Sequence, residues 1–338
     1  MTSPINPRWS SDIGQANWLT ERLDDFKGGK VASLVPSGFE AYARVLHPVE
    51  TPERGRRLIR WAEIAKWSGV PLTGKSQWLE MALPEHVPES YRPWASQGPH
   101  IGSLYFNDAR SLVATARQFT DTPEQCWCCI WHGYGTTRVP FVFPGEPTSP
   151  PLPPLIPVEV QDGAKVHTDY RDYFLYEESL DDSFMKAVEY LEGHSPNLWW
   201  PADRAWCVAS EIDLNSTYVG GSAAFIDAII KSADIEAFEV ASADSVFEVM
   251  PEWMKLVAER ASDQLVSLGM AEINTAIGDI RMELGRPSRI HRGYFRCVLV
   301  TDGMSSSGQI ELSVKSDNEL REEVVRMIQQ ELSSLASM

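Results

Sequence analysis

The sequence lacks the features that mark secreted, membrane-embedded or disulfide-stabilised proteins. No run of about 18 apolar residues occurs in the chain, which predicts no transmembrane helix. The segment Met1 to Trp18 has no basic stretch followed by an apolar one, so it does not resemble a signal peptide. The five cysteines are irregularly spaced, which argues against a disulfide scaffold. We therefore expect a cytoplasmic protein that folds around its own hydrophobic core.

Established catalytic and cofactor-binding motifs are also missing. The sequence contains neither the glycine-rich dinucleotide or phosphate loops nor the zinc-protease or serine-hydrolase signatures. Its seven histidines are scattered along the chain. We therefore predict no cofactor and no metal site.

What the sequence has in excess is negative charge in its second half. Residues 1–150 carry 15 Lys and Arg against 15 Asp and Glu, whereas residues 151–338 carry 15 against 32. Such a surplus repels nucleic acid and anionic lipid, so we expect neither a nucleic-acid nor a membrane partner. It suits a basic protein partner, although an acidic surface can also serve solubility alone.

Hydrophobic periodicity predicts an α+β fold, with a mixed, mostly antiparallel sheet, flanking helices and a C-terminal α/β extension. We divide the chain into an N-terminal α+β region (1–146), a proline-rich linker or loop (147–157), a tryptophan-rich α/β region (158–240) and a helical extension with a hairpin (241–338). Predicted strands cover 126–132, 138–143, 172–178, 206–213, 235–240, 294–301 and 309–314. Predicted helices cover 56–67, 182–191 and 223–231, one following an Asn107 N-cap, a long one from Pro251, and one at the C-terminus.

The tryptophan-rich segment from Asn197 to Ser222 is the most distinctive stretch and supplies the candidate binding site. Bulky aromatic rings beside charged side chains can form a recognition pocket, and an arginine can grip a carboxylate or phosphate. Alternation along a strand places Glu211 and Asp213 on one face, the minimum for acid–base chemistry. The competing interpretation is a structural tryptophan cluster with charged turn residues. The candidate residues are Trp199, Trp200, Asp203, Arg204, Glu211 and Asp213.

Two further patterns have simpler explanations than a site. Cys126, Cys128, Cys129 and His132 are too closely spaced for a typical zinc site, so we expect buried thiols. Gly220 and Gly221 precede a predicted helix and could cradle an anion, but Ser222 as its N-cap explains the position.

Four segments resemble a family of uncharacterised actinobacterial proteins. They are PSGFEAYARVLHP (36–48), RWAEIAKWSG (60–69), CWCCIWHGYG (126–135) and the tryptophan-rich segment (197–222). The resemblance implies a bacterial cytoplasmic protein, and it supplies neither an activity nor catalytic residues.

Two functions follow from these observations. The first is a binding or regulatory protein that uses an acidic surface against a basic protein, as inhibitor and immunity proteins do. The alternative is a hydrolase whose pocket lies near residues 199–213. Convergence of the carboxylates in an open cleft would favour the hydrolase, and dispersal or burial in pairs would favour the binding protein.

Overall fold

A computed structural model describes residues 6–50, 57–82, 98–134 and 154–247, followed by four strands between 270 and 311 and a few single positions. The described α-helices are α1 (Asn17–Thr20), α2 (Trp61–Ser68), α3 (Trp78–Ala82), α4 (Phe106–Ala116), α5 (Val158–Gln161), α6 (Asp182–Tyr190) and α7 (Ala223–Ile230). The strands are β1 (Arg8–Ser10), β2 (Ala41–Leu46), β3 (Val49–Glu50), β4 (Leu58–Ile59), β5 (Cys126–Trp131), β6 (Val166–His167), β7 (Asp172–Glu178), β8 (Leu198–Pro201), β9 (Cys207–Ser210), β10 (Ser216–Gly221), β11 (Ala237–Val240), β12 (Met270–Thr275), β13 (Gly278–Gly285), β14 (Tyr294–Thr301) and β15 (Met304–Glu311).

The chain divides into two compact units, and the first is built on a nine-stranded sheet. This unit takes residues 1–48, 73–75 and 100–247. Its strand order is β1-β7-β5-β8-β9-β10-β2-β11, with β6 also paired to β7. All of these pairings are antiparallel.

The central strands of this sheet are apolar on both faces because both faces are covered. Helices α4, α6 and α7 pack on one face, which includes Cys126, Cys128 and Val208. The segment that contains α1 packs on the other face, which includes Cys129 and Ala209. Strand alternation therefore distributes neighbouring residues between two hydrophobic cores.

The second unit takes residues 49–72, 76–99 and 248–338. In it, β3 pairs with β4, and the rings of Trp61 in α2 and Trp78 in α3 meet edge to face at 5.4 Å. The strands β12 to β15 form a consecutive antiparallel sheet. No helix in the described parts of the chain is long and apolar enough to cross a bilayer.

The α+β prediction is confirmed, and several of its elements lie close to the predicted positions. The strand 172–178 is observed as β7, and the predicted helices 182–191 and 223–231 are α6 and α7. Ser222 is the N-cap of α7, where its hydroxyl accepts a hydrogen bond from the Phe225 amide at 3.3 Å. These elements were predictable because each has a clear hydrophobic period and a recognisable end.

Other predicted boundaries were wrong. The helix predicted from residue 56 begins at Trp61, because Leu58 and Ile59 form β4. Asn107 lies inside α4, whose N-cap is Tyr105 without a side-chain hydrogen bond. The predicted strands 206–213 and 235–240 are shorter, as β9 and β11.

In the C-terminal extension, β14 was predicted, but its partner is β15 (304–311) rather than 309–314. Strands β12 and β13 were missed, although Ile280, Met282 and Leu284 alternate with charged residues in β13. The predicted strand 138–143 and most of the helices predicted after Pro251 lie outside the described residues.

The proline-rich segment 147–157 does not separate two sheets. Strands β2 and β5 precede it and β7 to β11 follow it, yet all belong to one sheet. At its end, Leu155 and Ile156 are buried in the core beneath the helices. Of the two alternatives for this segment, a loop fits the shared sheet better than a linker between domains.

Candidate functional site

The two neighbouring tryptophans of the candidate site are core residues. Trp199 and Trp200 are consecutive in β8, so their side chains point to opposite faces of the sheet. Strand β8 lies between β5 and β9, and each indole is only 1% exposed. Trp199 meets Trp206 with ring centroids 5.1 Å apart, whereas Trp200 meets Trp18 at 6.1 Å. The two indoles therefore belong to different cores and do not line a shared pocket.

Asp203 organises the turn between β8 and β9. Its Oδ2 accepts hydrogen bonds from the Thr120 hydroxyl at 2.8 Å and the Asp121 amide at 2.7 Å. Its Oδ1 accepts one from the Ala205 amide at 3.1 Å. This carboxylate therefore joins the turn to the segment that precedes β5, which is a structural role.

Arg204 follows in the left-handed backbone region, with φ of 59°. Its guanidinium lies 5.5 Å from the centre of the Trp18 ring, in a cation–π contact. It lines an open depression of about 310 Å³ together with Glu40 and Ser222. Glu40 accepts a hydrogen bond from the Ala223 amide at 2.9 Å, so a carboxylate of the chain already occupies the start of α7.

Glu211 and Asp213 converge on one arginine after β9. Arg171 Nη2 lies 2.6 Å from Glu211 Oε1 and 2.6 Å from Asp213 Oδ2. Glu211 is buried and also accepts a hydrogen bond from the Ile212 amide, whereas Asp213 is exposed. Burial raises the pKa of Glu211, and the ion pair with Arg171 opposes that rise. The two carboxylates were predicted to share a strand face, but β9 ends at Ser210, and they meet through Arg171 in the segment that follows it.

The six candidate residues are therefore not brought together. Trp199 and Trp200 lie in separate cores, Asp203 and Arg204 precede β9, and Glu211 and Asp213 follow it. The sequence interpretation missed Arg171 because it lies forty positions before Glu211, and only the sheet brings them into contact. The open cleft required by the hydrolase alternative is not formed by these six residues.

The glycines before α7 serve packing rather than anion binding. Gly220 and Gly221 are the last residues of β10, paired with Tyr42 and Ala41 of β2. A Cβ atom on Gly220 would lie 2.6 Å from the Phe39 ring, so the strand can approach that ring only without a side chain.

The four cysteines whose burial the structure describes are all buried, as predicted for Cys126, Cys128 and Cys129. Cys126 and Cys128 lie on one face of β5 and Cys129 on the other, and Cys207 is buried in β9. Burial raises the pKa of Cys128, Cys129 and Cys207, which disfavours the reactive thiolate. Across the described residues, no group of three or more His, Cys, Asp or Glu side chains could hold a metal ion.

A buried histidine closes a row of hydroxyl groups across the sheet. His47 is fully buried, with Nδ1 2.7 Å from the His100 carbonyl and Nε2 2.8 Å from the Thr217 hydroxyl. The carbonyl requires a proton on Nδ1, so Nε2 accepts from Thr217, which lies 2.5 Å from the Ser210 hydroxyl. Burial lowers the pKa of His47 to about 3. The charge of Arg44 also lowers this pKa, whereas the hydrogen bond to the His100 carbonyl raises it. Ser210 is also buried, so this row is structural.

A second buried carboxylate, Glu178, was missed by the sequence interpretation. Phe174, Tyr176 and Glu178 alternate along β7, and Phe174 and Tyr176 belong to the core beneath the helices. A glutamate at the next position of an apolar face was the signal for this residue. Its Oε1 atom has no hydrogen-bond partner among the described residues.

Comparisons with known proteins give no relative from which a role could be transferred. No family model matches the chain, and no curated protein or solved structure is significantly similar to it. Membership of the actinobacterial family therefore stays a prediction.

Proposed function

We propose that this protein binds a basic protein partner through an acidic surface, as an inhibitor or immunity-type protein does. The observation that carries the proposal is the exposed charge of residues 154–247. In this range twelve Asp and Glu residues are exposed, against three Lys and Arg residues. The exposed acids are Glu159, Asp162, Asp169, Asp181, Asp182, Glu189, Glu192, Asp203, Asp213, Asp227, Asp234 and Glu239.

Two of these twelve acids form ion pairs with basic side chains of the same unit. Asp213 pairs with Arg171, and Asp227 pairs with Lys231 at 2.7 Å. Twelve exposed acids against three exposed Lys and Arg give this range a net negative surface charge. Such a charge accelerates association with a positively charged protein and repels nucleic acid.

Some of these acids lie on the helix-covered side of the sheet. Glu159 belongs to α5 and Glu189 to α6, and the Tyr190 hydroxyl donates to the Leu155 carbonyl at 3.0 Å beside them. The segments that carry Glu159, Asp162 and Glu189 therefore pack on one core.

The dispersal of residues 199–213 favours this function over the hydrolase. Glu211 is paired with Arg171, and Asp203 holds a turn. Cytoplasmic location and bacterial origin remain part of the proposal, together with the basic nature of the partner.

The test is capture of a partner from the native host, followed by affinity measurements with the purified partner. We expect a basic protein whose affinity falls by at least about tenfold between about 0.05 and 0.5 M salt. Glu159→Gln, Asp162→Asn and Glu189→Gln combined should weaken binding at low salt by about tenfold. The matched control combines Asp12→Asn, Glu21→Gln and Asp24→Asn in the charge-balanced N-terminal segment. The proposal fails if nothing is retained at low salt, if salt has no effect, or if both triple variants behave alike.

A further inference from the structure

Glu178 combines deep burial with an unsatisfied carboxylate oxygen. The residue ends β7, opposite Cys126 of β5, and is 2% exposed. Its Oε1 atom has no hydrogen-bond partner in the described part of the chain. Burial raises its pKa, with the Ser183 hydroxyl and Arg8 opposing the rise. Ser183 and Arg8 contact the carboxylate, but a buried oxygen without a donor is still costly, so Oε1 calls for an explanation.

This residue also lines an open groove. The groove has a volume of about 370 Å³ and is lined by Arg8, Glu124, Glu178, Ser179 and Ser183. Its walls come from β1, the turn before β5, the end of β7 and the first turn of α6. The buried carboxylate can therefore be reached from solvent without unfolding an element of the sheet.

The charges around the groove favour a cation. Arg8 is already engaged, because its Nε donates to the Glu177 carbonyl at 3.2 Å and its Nη2 lies 3.5 Å from the Glu177 carboxylate. Glu124 in the lining is exposed, and the exposed Asp181 and Asp182 lie in the chain between the lining residues Ser179 and Ser183. This leaves more negative than positive charge around the groove.

The start of α6 does not reverse this preference. A helix N-terminus attracts anions, but here Asp181 supplies one, since its Oδ1 accepts from the Ser183 amide at 2.7 Å. Its Oδ2 accepts from the Ser179 hydroxyl at 2.8 Å. The helix dipole is therefore offset by the chain's own carboxylate, and Glu178 Oε1 remains without a donor among the described residues.

We propose that this groove binds a lysine or arginine side chain of the basic partner, with Glu178 as the buried acceptor of its cationic group. This inference rests on the proposed function and adds the contact that anchors the partner. Charge-assisted hydrogen bonds to a desolvated carboxylate are strong, and such buried contacts dominate interface energies. The exposed acids would then steer the partner, and Glu178 would hold one of its side chains.

The test uses the full chain and small probes of the two side chains. N-acetyl-lysine methylamide and N-acetyl-arginine methylamide are titrated while amide shifts are recorded by NMR, with N-acetyl-norleucine methylamide as the uncharged control. We expect saturable shifts from at least one cation, confined to Arg8, Glu124 and residues 178–183, and none from norleucine. Scattered, non-saturating shifts with both cations would overturn the groove.

Variants separate the buried carboxylate from the general surface charge. Glu178→Gln should weaken probe binding at least tenfold, whereas Glu239→Gln, at the opposite edge of the sheet, should change it less than twofold. Ser183→Phe fills the groove from its rim and also removes the hydroxyl that contacts Glu178, and it should abolish binding because the cation can no longer reach the carboxylate. Equal probe affinity in the wild type and either groove variant overturns the inference. Glu178→Gln should retain the wild-type circular dichroism spectrum. If Glu178→Gln does not fold, Ser183→Phe serves as the test variant in its place.

Failure of the inference and failure of the proposed function give different results. If the natural partner binds in a salt-dependent manner and Glu178→Gln leaves its affinity unchanged, the acidic surface stands and the groove is overturned. If the probes bind the groove and no basic protein is retained, the proposed function fails, and with it the assignment of a protein side chain as the occupant.

Discussion

The two ends of the nine-stranded sheet treat their buried polar groups differently. At the Glu211 end, where β9 finishes, Glu211 has Arg171 as a partner, and each ring nitrogen of His47 has one hydrogen-bond partner. At the Glu178 end, where β7 finishes, Glu178 Oε1 has none among the described residues, and neither has Tyr176 Oη on the same face. The chain itself therefore satisfies these groups at the Glu211 end, whereas Glu178 Oε1 is the atom that we propose a bound cation satisfies.

Removing the paired carboxylate should produce the largest loss of stability. Glu211→Met leaves the Arg171 guanidinium without its buried partner, so the free energy of unfolding should fall by about 3 to 4 kcal/mol. Urea unfolding followed by tryptophan fluorescence measures this change. Asp213→Asn removes only the exposed partner of the same arginine and should cost less than about 1 kcal/mol. Equal losses in the two variants would mean that burial does not distinguish the two carboxylates.

Acid should weaken the Glu211 end through His47. Because its pKa falls from 6.5 in the unfolded chain to about 3 in the fold, the unfolded state binds more protons between these values. The contribution is therefore complete above about pH 6.5 and is lost as the pH falls, by about 3 kcal/mol between about pH 7 and 4.

The measurement compares unfolding free energies of the wild type and His47→Gln at several pH values. The variant should show a shallower decline with acid, and the difference between the two curves isolates the histidine from the carboxylates. Parallel curves would show that His47 keeps an ordinary pKa in the fold, contrary to its closed hydrogen-bond row.

The turn between β8 and β9, at the Glu178 end of the sheet, should depend on the hydrogen bonds of Asp203 for its stability. Asp203→Ala removes the acceptor for the Asp121 and Ala205 amides, and the expected loss of stability is about 1 to 2 kcal/mol. Arg204→Gly relieves a left-handed residue at the cost of its contact with Trp18, so it should be nearly neutral. Thermal unfolding of both variants checks the pair. A stable Asp203→Ala variant that no longer binds the basic partner would instead make Asp203 a binding residue.

Sequence periodicity was a good guide to local structure and a poor one to contacts across the sheet. The alternation expected of a strand holds here, since Trp206 and Val208 lie in one core and Cys207 and Ala209 in the other. It could not show that helices cover one face and an N-terminal segment the other. Aromatic residues that looked like a pocket were therefore parts of two cores.

The candidate site illustrates the same limit. Glu211 was predicted to share one strand face with Asp213, but Arg171, which decides its role, comes from the residue before β7. Asp203 likewise finds its partners at Thr120 and Asp121, far away in sequence. Single-sequence reasoning identifies residue types that can bear function, whereas satisfaction of their polar atoms requires the fold.

Removing the carboxylate of Glu178 should have the smallest effect on the free energy of unfolding, and this effect should have the opposite sign. Glu178→Met replaces a buried carboxylate with one unsatisfied oxygen by an apolar side chain of similar length. We expect the free energy of unfolding to rise by about 1 kcal/mol in the absence of a partner, because the cost of the unsatisfied group is removed. Urea unfolding at neutral pH measures this gain directly against the loss in Glu211→Met.

The neighbouring Glu177 provides the control, since it faces the other way on β7 and pairs with Arg8. Glu177→Met should leave stability within about 0.5 kcal/mol of the wild type, as for an exposed pair. A loss above about 1 kcal/mol in Glu178→Met would mean that the chain itself satisfies this carboxylate. The two ends of the sheet would then be alike, and the groove beside Glu178 would have no need of a cationic occupant.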